Sequence, residues 1–185
     1  MTLIHSFAPI ADPHAEVLIL GSMPGQASLA ANQYYAHPQN AFWRIIGELL
    51  EFDPAVVSYA EKTNALKSAR IALWDVLQSC RRVGSLDSSI ETGSQRVNNF
   101  SAFFATHTQI RHVFFNGTKA EACFKRYVLK ESWASSVLQG VQLTRLPSTS
   151  PANATLSFAL KCEEWRWMLG SKLTSSNCCS DTLSA

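Results

Sequence analysis

The chain has 185 residues, of which 46% are apolar and 16% charged, enough core-forming material for one domain and too little polarity for a disordered chain. A formal net charge of +2 does not by itself announce a polyanion as partner. No run approaches the roughly 18 uninterrupted apolar residues of a membrane span, and the start lacks a basic segment followed by a long apolar stretch, so a cytoplasmic protein is expected.

Val17 to Leu20 is a short β-favouring run stopped by Gly21, which reads as a buried strand ending in a loop. The residues from Ser22 to Asn40 carry Pro24, Gly25, Asn32, Pro38 and two adjacent tyrosines, so they read as one long loop, ordered by its aromatics. Helical spacing begins at Phe42 and continues through Ile45, Ile46, Leu49 and Leu50, with Asn40 near an N-cap. A looser helical stretch spans Pro54 to Ala69, and a second strand runs from Ile71 to Val76. The polar segment Arg82 to Ile90 lacks an apolar repeat and reads as loop. Phe100, Phe103 and Phe104 mark a helix, Val113 to Phe115 a third strand, and Thr118 a cap for a helix reaching Tyr127. Val141 to Leu146 gives a fourth strand, followed by Pro147 to Asn153 and a last helix marked by Leu156, Leu160, Trp165 and Met168. Residues 1–170 are expected to form the single domain and 171–185 a disordered tail.

Short apolar strands alternating with helices predict an α/β three-layer sandwich with a central four-stranded parallel sheet. Ligands of such sheets bind beyond the carboxyl ends of the strands. Those ends carry Ser22-Met23-Pro24-Gly25, Asp75, Asn116-Gly117 and the Pro147 to Asn153 loop. No phosphate-binding or dinucleotide glycine motif is present. Nor is there a metal-ligand cluster, a serine elbow or a paired cysteine nucleophile, so no metal and no cofactor is expected. The five cysteines include no C-x-x-C pair and read as structural thiols. Charge is uneven: from 101 to 150, Arg111, Lys119, Lys125, Arg126, Lys130 and Arg145 stand against Glu121 and Glu131, a surplus able to face phosphates or simply solvent. Amides, hydroxyls and aromatics can stack a flat ring, bond its edge and orient a water, which suits a reaction with a cationic transition state.

Gly21-Ser22-Met23-Pro24-Gly25 followed by Tyr35-Ala36-His37-Pro38-Gln39-Asn40-Ala41-Phe42-Trp43 resembles the first motif of the mismatch-specific branch of the uracil-DNA glycosylase superfamily. Pro147-Ser148-Thr149-Ser150-Pro151 resembles the second motif more weakly, as does Phe115-Asn116-Gly117 its strand end. In that branch the third residue of the turn is a water-positioning asparagine, whereas this chain has Met23. With Leu73-Trp74-Asp75-Val76 and Gly84-Ser85-Leu86-Asp87-Ser88, the pattern is similar to the hypoxanthine-DNA glycosylases, in which the residue corresponding to Asn40 supplies the amide. The resemblance implies a monofunctional, monomeric repair enzyme that flips a deaminated base out of DNA and hydrolyses its N-glycosidic bond. It makes Asn40 catalytic, Gly21, Ser22, Met23, Tyr35 and Asn116 base-binding, and Ser148, Thr149, Ser150, Pro151, Ala152 and Asn153 the DNA wedge and backbone contacts. Each has a plainer reading: a helix cap for Asn40, core packing for Tyr35, a turn for Asn116, a capped turn for the proline loop. Excision of uracil or thymine instead, and a non-catalytic nucleobase-binding module, remain the competing readings.

Overall fold

The computed structural model describes residues 2–173, with backbone only at 92 and 167–173. A short strand β1 (Thr2–His5) precedes β2 (Val17–Gly21), all five of whose residues are buried. Such an uninterrupted apolar run suits a strand covered on both faces. β2 pairs in parallel with β3 (Ile71–Asp75) on one side and with β6 (His112–Asn116) on the other, and β6 pairs in parallel with β7 (Gln142–Leu146). The central sheet is therefore four-stranded and parallel, in the order β3-β2-β6-β7, as the alternation of apolar runs and helical spacing implied.

Register explains how the faces are covered. Leu20 lies opposite Trp74 and Phe115, so all three point to one face. There the Trp74 ring meets Phe100 and Phe103 of α4 (Phe100–Thr106), and Phe115 meets Phe124 beyond α5 (Thr118–Cys123). A second helical group joins α2 (Phe42–Leu50) to α7 (Phe158–Leu173) through an edge-to-face contact of Phe42 with Trp165, centroids 5.9 Å apart. Phe42, Ile45, Ile46 and Trp165 are wholly buried, and side chains of this size each contribute about 1.5–3 kcal/mol on leaving water. The helix α3 (Tyr59–Ser68) opens with a complete capping box between Ser58 and Glu61. A four-residue helix α6 (Ala134–Val137) precedes β7.

Several local expectations are corrected. The stretch between Ser22 and Asn40 is not one loop: it holds α1 (Gln26–Ala31), whose Ala-rich sequence has helix propensity but no apolar period. A second, antiparallel sheet joins β1, β4 (Leu77–Arg82) and β5 (Arg96–Val97) in the order β1-β4-β5. It went unseen because these strands are short and β4 alternates only imperfectly, ending on a buried arginine. Thr118 does not cap α5 but opens it; Gly117 holds the cap position at φ +97°, with no side-chain cap bond. The helix then widens to a π-helical turn over Phe124–Val128. α7 continues to Leu173, so 171–173, expected in a tail, are helical. The rest of that tail, with Cys178 and Cys179, lies outside the described residues. Cys80, Cys123 and Cys162 are free and buried, and burial raises their thiol pKa values, which fits structural thiols.

Candidate active site

The carboxyl ends of the parallel strands open onto a cleft of about 820 Å³, within the span of small-ligand sites. Gly21, Ser22, Met23, Tyr35, Asn40, Asn116 and the whole of Ser148 to Asn153 line it, so every residue singled out from the sequence faces one cavity.

The floor is set by backbone constraint. A Cβ on Gly21 would stand 2.4 Å from Asp75 Oδ1 and 2.9 Å from the Tyr35 hydroxyl, so only glycine lets those two groups close over the end of β2. Tyr35 sits at φ +54°, a conformation that costs a bulky residue of order 1–3 kcal/mol and recurs at functional sites. Its ring stacks on Phe42 with centroids 4.0 Å apart and planes 21° apart, so Tyr35 packs on the core while also lining the cleft. Neighbouring Tyr34 is buried, accepts the Trp43 indole N–H through its carbonyl at 2.8 Å, and donates its hydroxyl to Ala8 O at 3.2 Å. Burial, with the Asp75 charge as the next contribution, raises the pKa values of both tyrosines.

Asn40 accepts the Phe42 backbone N–H at 3.0 Å through its Oδ1, while Ala41, not Asn40, holds the formal cap position of α2. The amide thus braces the start of α2 from one residue further out. A carbonyl oxygen has two lone pairs and the NH₂ two donors, so this single bond leaves the group able to engage a further partner in the cleft.

Thr149 joins the two sides of the site. Its N–H donates to Asn116 Oδ1 at 2.8 Å, its hydroxyl accepts from Asn116 Nδ2 at 2.8 Å, and its carbonyl accepts the Ala41 N–H at 3.0 Å. At 1% exposure, Thr149 borders the cleft from beneath its surface, with its backbone and hydroxyl bonded to Ala41 and Asn116. Asn116 is likewise a strut of the proline loop, with one N–H and one lone pair left for other use. Ser148 packs on Gly117, where a Cβ would lie 2.9 Å from the serine Cβ. Ser148 O accepts from Asn153 Nδ2 at 3.2 Å, Lys161 Nζ donates to Asn153 O at 2.6 Å and the Trp165 indole to Pro147 O at 2.9 Å. The loop is therefore bonded along its length, with Pro151 and Ala152 left exposed at its tip.

A cluster of charges lies under the turn, of which the sequence marks Asp75 by its place at a strand end and assigns no role to Asp87 or Arg82. Asp75, only 3% exposed, accepts the Ser6 hydroxyl at 2.7 Å, and burial, with the Asp87 charge adding to it, pushes its pKa up to about 7. Asp87 accepts the Ser22 hydroxyl at 2.7 Å and is also raised by burial. Arg82, equally buried, donates through Nη2 to Pro24 O, and its charge opposes the rise at both carboxyls. The sequence signal available was position alone: Asp75 ends a parallel strand and Asp87 lies in a serine-rich loop. Of the basic surplus, Lys125 and Arg145 both pair with Glu121, at 2.8 and 3.2 Å, so it is partly neutralised. Among the described residues no group of three or more His, Cys, Asp or Glu side chains could hold a metal ion.

A parallel sheet covered by helices, with a cleft at its strand ends lined by amides, hydroxyls, an aromatic ring and buried carboxyls, defines an α/β protein whose ligand site lies beyond the strand ends. The family model described as the Uracil DNA glycosylase superfamily matches residues 8–168, and the chain belongs to that superfamily. It is a DNA glycosylase, an N-glycosyl hydrolase whose partner is DNA. Proteins named Hypoxanthine DNA glycosylase from Methanosarcina barkeri and Methanosarcina acetivorans are 39% and 40% identical to it over 114 residues, 62% of this chain and 71% of each relative. A solution NMR structure from Methanosarcina acetivorans, described as a candidate uracil DNA glycosylase, superposes with a TM-score of 0.72 at 32% identity. That match covers 91% of this chain and 99% of the other.

Proposed function

We propose that this enzyme excises hypoxanthine from DNA, working as a monomer in the cytoplasm on nucleoid DNA. The observation that carries the reading is the turn itself: Met23, whose side chain offers no amide, lines the same cleft as Asn40, and relatives at about 40% identity bear the name of that activity. As the C1′–N9 bond breaks, positive charge grows on the sugar, and a water held near the anomeric carbon completes the hydrolysis. Asn40 positions that water through its amide. Gly21, Ser22 and Met23 form the wall against the extruded ring, Tyr35 packs beside it, and Asn116 offers its remaining N–H and lone pair to the ring edge. Ser148, Ser150, Pro151, Ala152 and Asn153 follow the duplex at the rim.

Labelled duplexes carrying hypoxanthine, uracil or xanthine, incubated with the enzyme and then cleaved in alkali, test this directly. Strand cleavage fastest at hypoxanthine is expected. Equal or faster release of uracil would overturn the assignment in favour of a pyrimidine enzyme, and binding without an abasic product would leave only a nucleobase-binding module.

A further inference from the structure

Asp75 and Asp87 both line the cleft, and the hydrolysis described above uses neither. Their surroundings differ. Asp87 accepts the Ser22 hydroxyl, and the charges of Arg82 and Lys119 favour its ionised form against the pull of burial. Asp75 is 3% exposed at the end of β3, where burial and the Asp87 charge favour the neutral acid while the Ser6 hydroxyl and Arg82 act against them. Tyr34 and Tyr35 also feel its charge, and neither brings a positive one to oppose it. Two carboxyls of one site whose environments hold their protons unequally form the pattern of an acid beside a carboxylate.

The geometry shows where that acid is presented. The bond from Ser6 occupies Asp75 Oδ2, which leaves Oδ1 to carry the proton of the neutral form. A Cβ on Gly21 would lie 2.4 Å from Oδ1 and 2.9 Å from the Tyr35 hydroxyl, so both oxygens gather where the glycine leaves room. The Tyr35 hydroxyl is itself buried and has no hydrogen-bond partner among the described residues, although the Asn116 amide lies beside it. A buried orphan hydroxyl is rare in a native fold and calls for a partner from outside the chain. An acid oxygen, an orphan hydroxyl and an amide with unused capacity therefore meet at one end of the cleft, a set that fits the polar edge of a flat ring.

A purine departs with difficulty as an anion. The electron pair of the C1′–N9 bond must be taken up by the ring, and a proton placed on N7, in the same five-membered ring, neutralises the charge that arrives. We propose that Asp75 is the general acid of the reaction and gives its Oδ1 proton to N7 of the departing purine. As the C1′–N9 bond breaks, its electron pair stays with the ring and the N7–H bond forms, so hypoxanthine leaves neutral. The water held by Asn40 adds its oxygen to C1′, and the proton it sheds restores the Asp75 acid by way of solvent. The assignment rests on the hypoxanthine reading, since a pyrimidine has no N7.

Single-turnover release of hypoxanthine by the wild type and by Asp75→Asn, followed from about pH 6 to about pH 9 alongside thermal unfolding, tests it. Loss of a general acid costs about 10²-fold or more, and this acid is itself lost as Asp75 ionises near pH 7. The wild type should therefore outrun the variant by about 10²-fold at pH 6, and the ratio should shrink toward one by pH 9. A carboxyl needed only for structure would give one ratio at every pH. The 7-deaza analogue of hypoxanthine, which lacks the N7 lone pair, should leave the wild type no faster than hypoxanthine leaves the variant. This comparison needs the wild type alone, so it decides the matter whether or not Asp75→Asn folds. A ratio that does not change with pH, or wild-type release of the analogue at the hypoxanthine rate, would overturn the acid and spare the substrate reading. A wild type that releases no hypoxanthine would overturn both.

Discussion

Asn40 braces a helix start and has a proposed part in positioning water, and one substitution separates the two. Its Oδ1 braces the first turn of α2 through the Phe42 N–H, and the same amide faces the cleft. Losing a cap-like bond costs about 1 kcal/mol, whereas losing one preorganised contact in the transition state costs about 10²-fold in rate. Asn40→Ala is therefore expected to slow the single-turnover step by about 10²-fold or more while unfolding only slightly earlier. A full-speed, less stable variant would reduce Asn40 to a brace. The motif spacing made Asn40 and Tyr35 legible as residues facing the cleft, because ligand sites gather where a parallel strand gives way to an ordered loop. Thr149 was legible only as a member of its loop. Its inward turn depends on Asn116, distant in sequence, and no local pattern encodes that pairing. The same holds for Asp75, whose raised pKa comes from burial and from Asp87.

At the scale of elements, the buried parallel strands were readable because uninterrupted apolar runs bounded by turns have few other homes. α1 and the β1-β4-β5 sheet were not, since six residues of mixed polarity and strands of two to six residues carry too little period to stand out. The junction of β6, Gly117 and α5 shows how an element boundary serves the site. Gly117 adopts φ +97° and lets Ser148 close onto the start of α5. Gly117→Ala adds a left-handed alanine, costing about 1–2 kcal/mol, and a contact that pushes the proline loop outward. We expect a lower Tm together with a higher KM for damaged duplex. A variant that loses stability but keeps wild-type KM would show that the loop does not depend on this close approach.

For the whole molecule, the buried carboxyls set how stability varies with pH. A carboxyl whose folded pKa is raised binds its proton more tightly in the native state than in the unfolded chain. Its stabilising influence is therefore complete at low pH and is lost as pH climbs from the ordinary carboxylate range to about 7 at Asp75. Asp87 adds a shift of the same sign. Asp75→Asn removes that titration, so Tm of the variant relative to wild type should rise between pH 5 and pH 8; a constant difference across that range would mean that Asp75 is not protonated in the native state near neutrality. The sheet order has a kinetic consequence as well. β2, near the start of the chain, finds one neighbour in β3 and the other in β6, with Leu18 opposite Val113, and the cleft closes only when Thr149 reaches Ala41 and Asn116. Contacts so far apart in sequence form slowly, because long loops must close before they are rewarded. On the ribosome, one edge of the central strand stays unpaired until residues 112–116 have emerged, and the cleft stays open until Thr149 has followed.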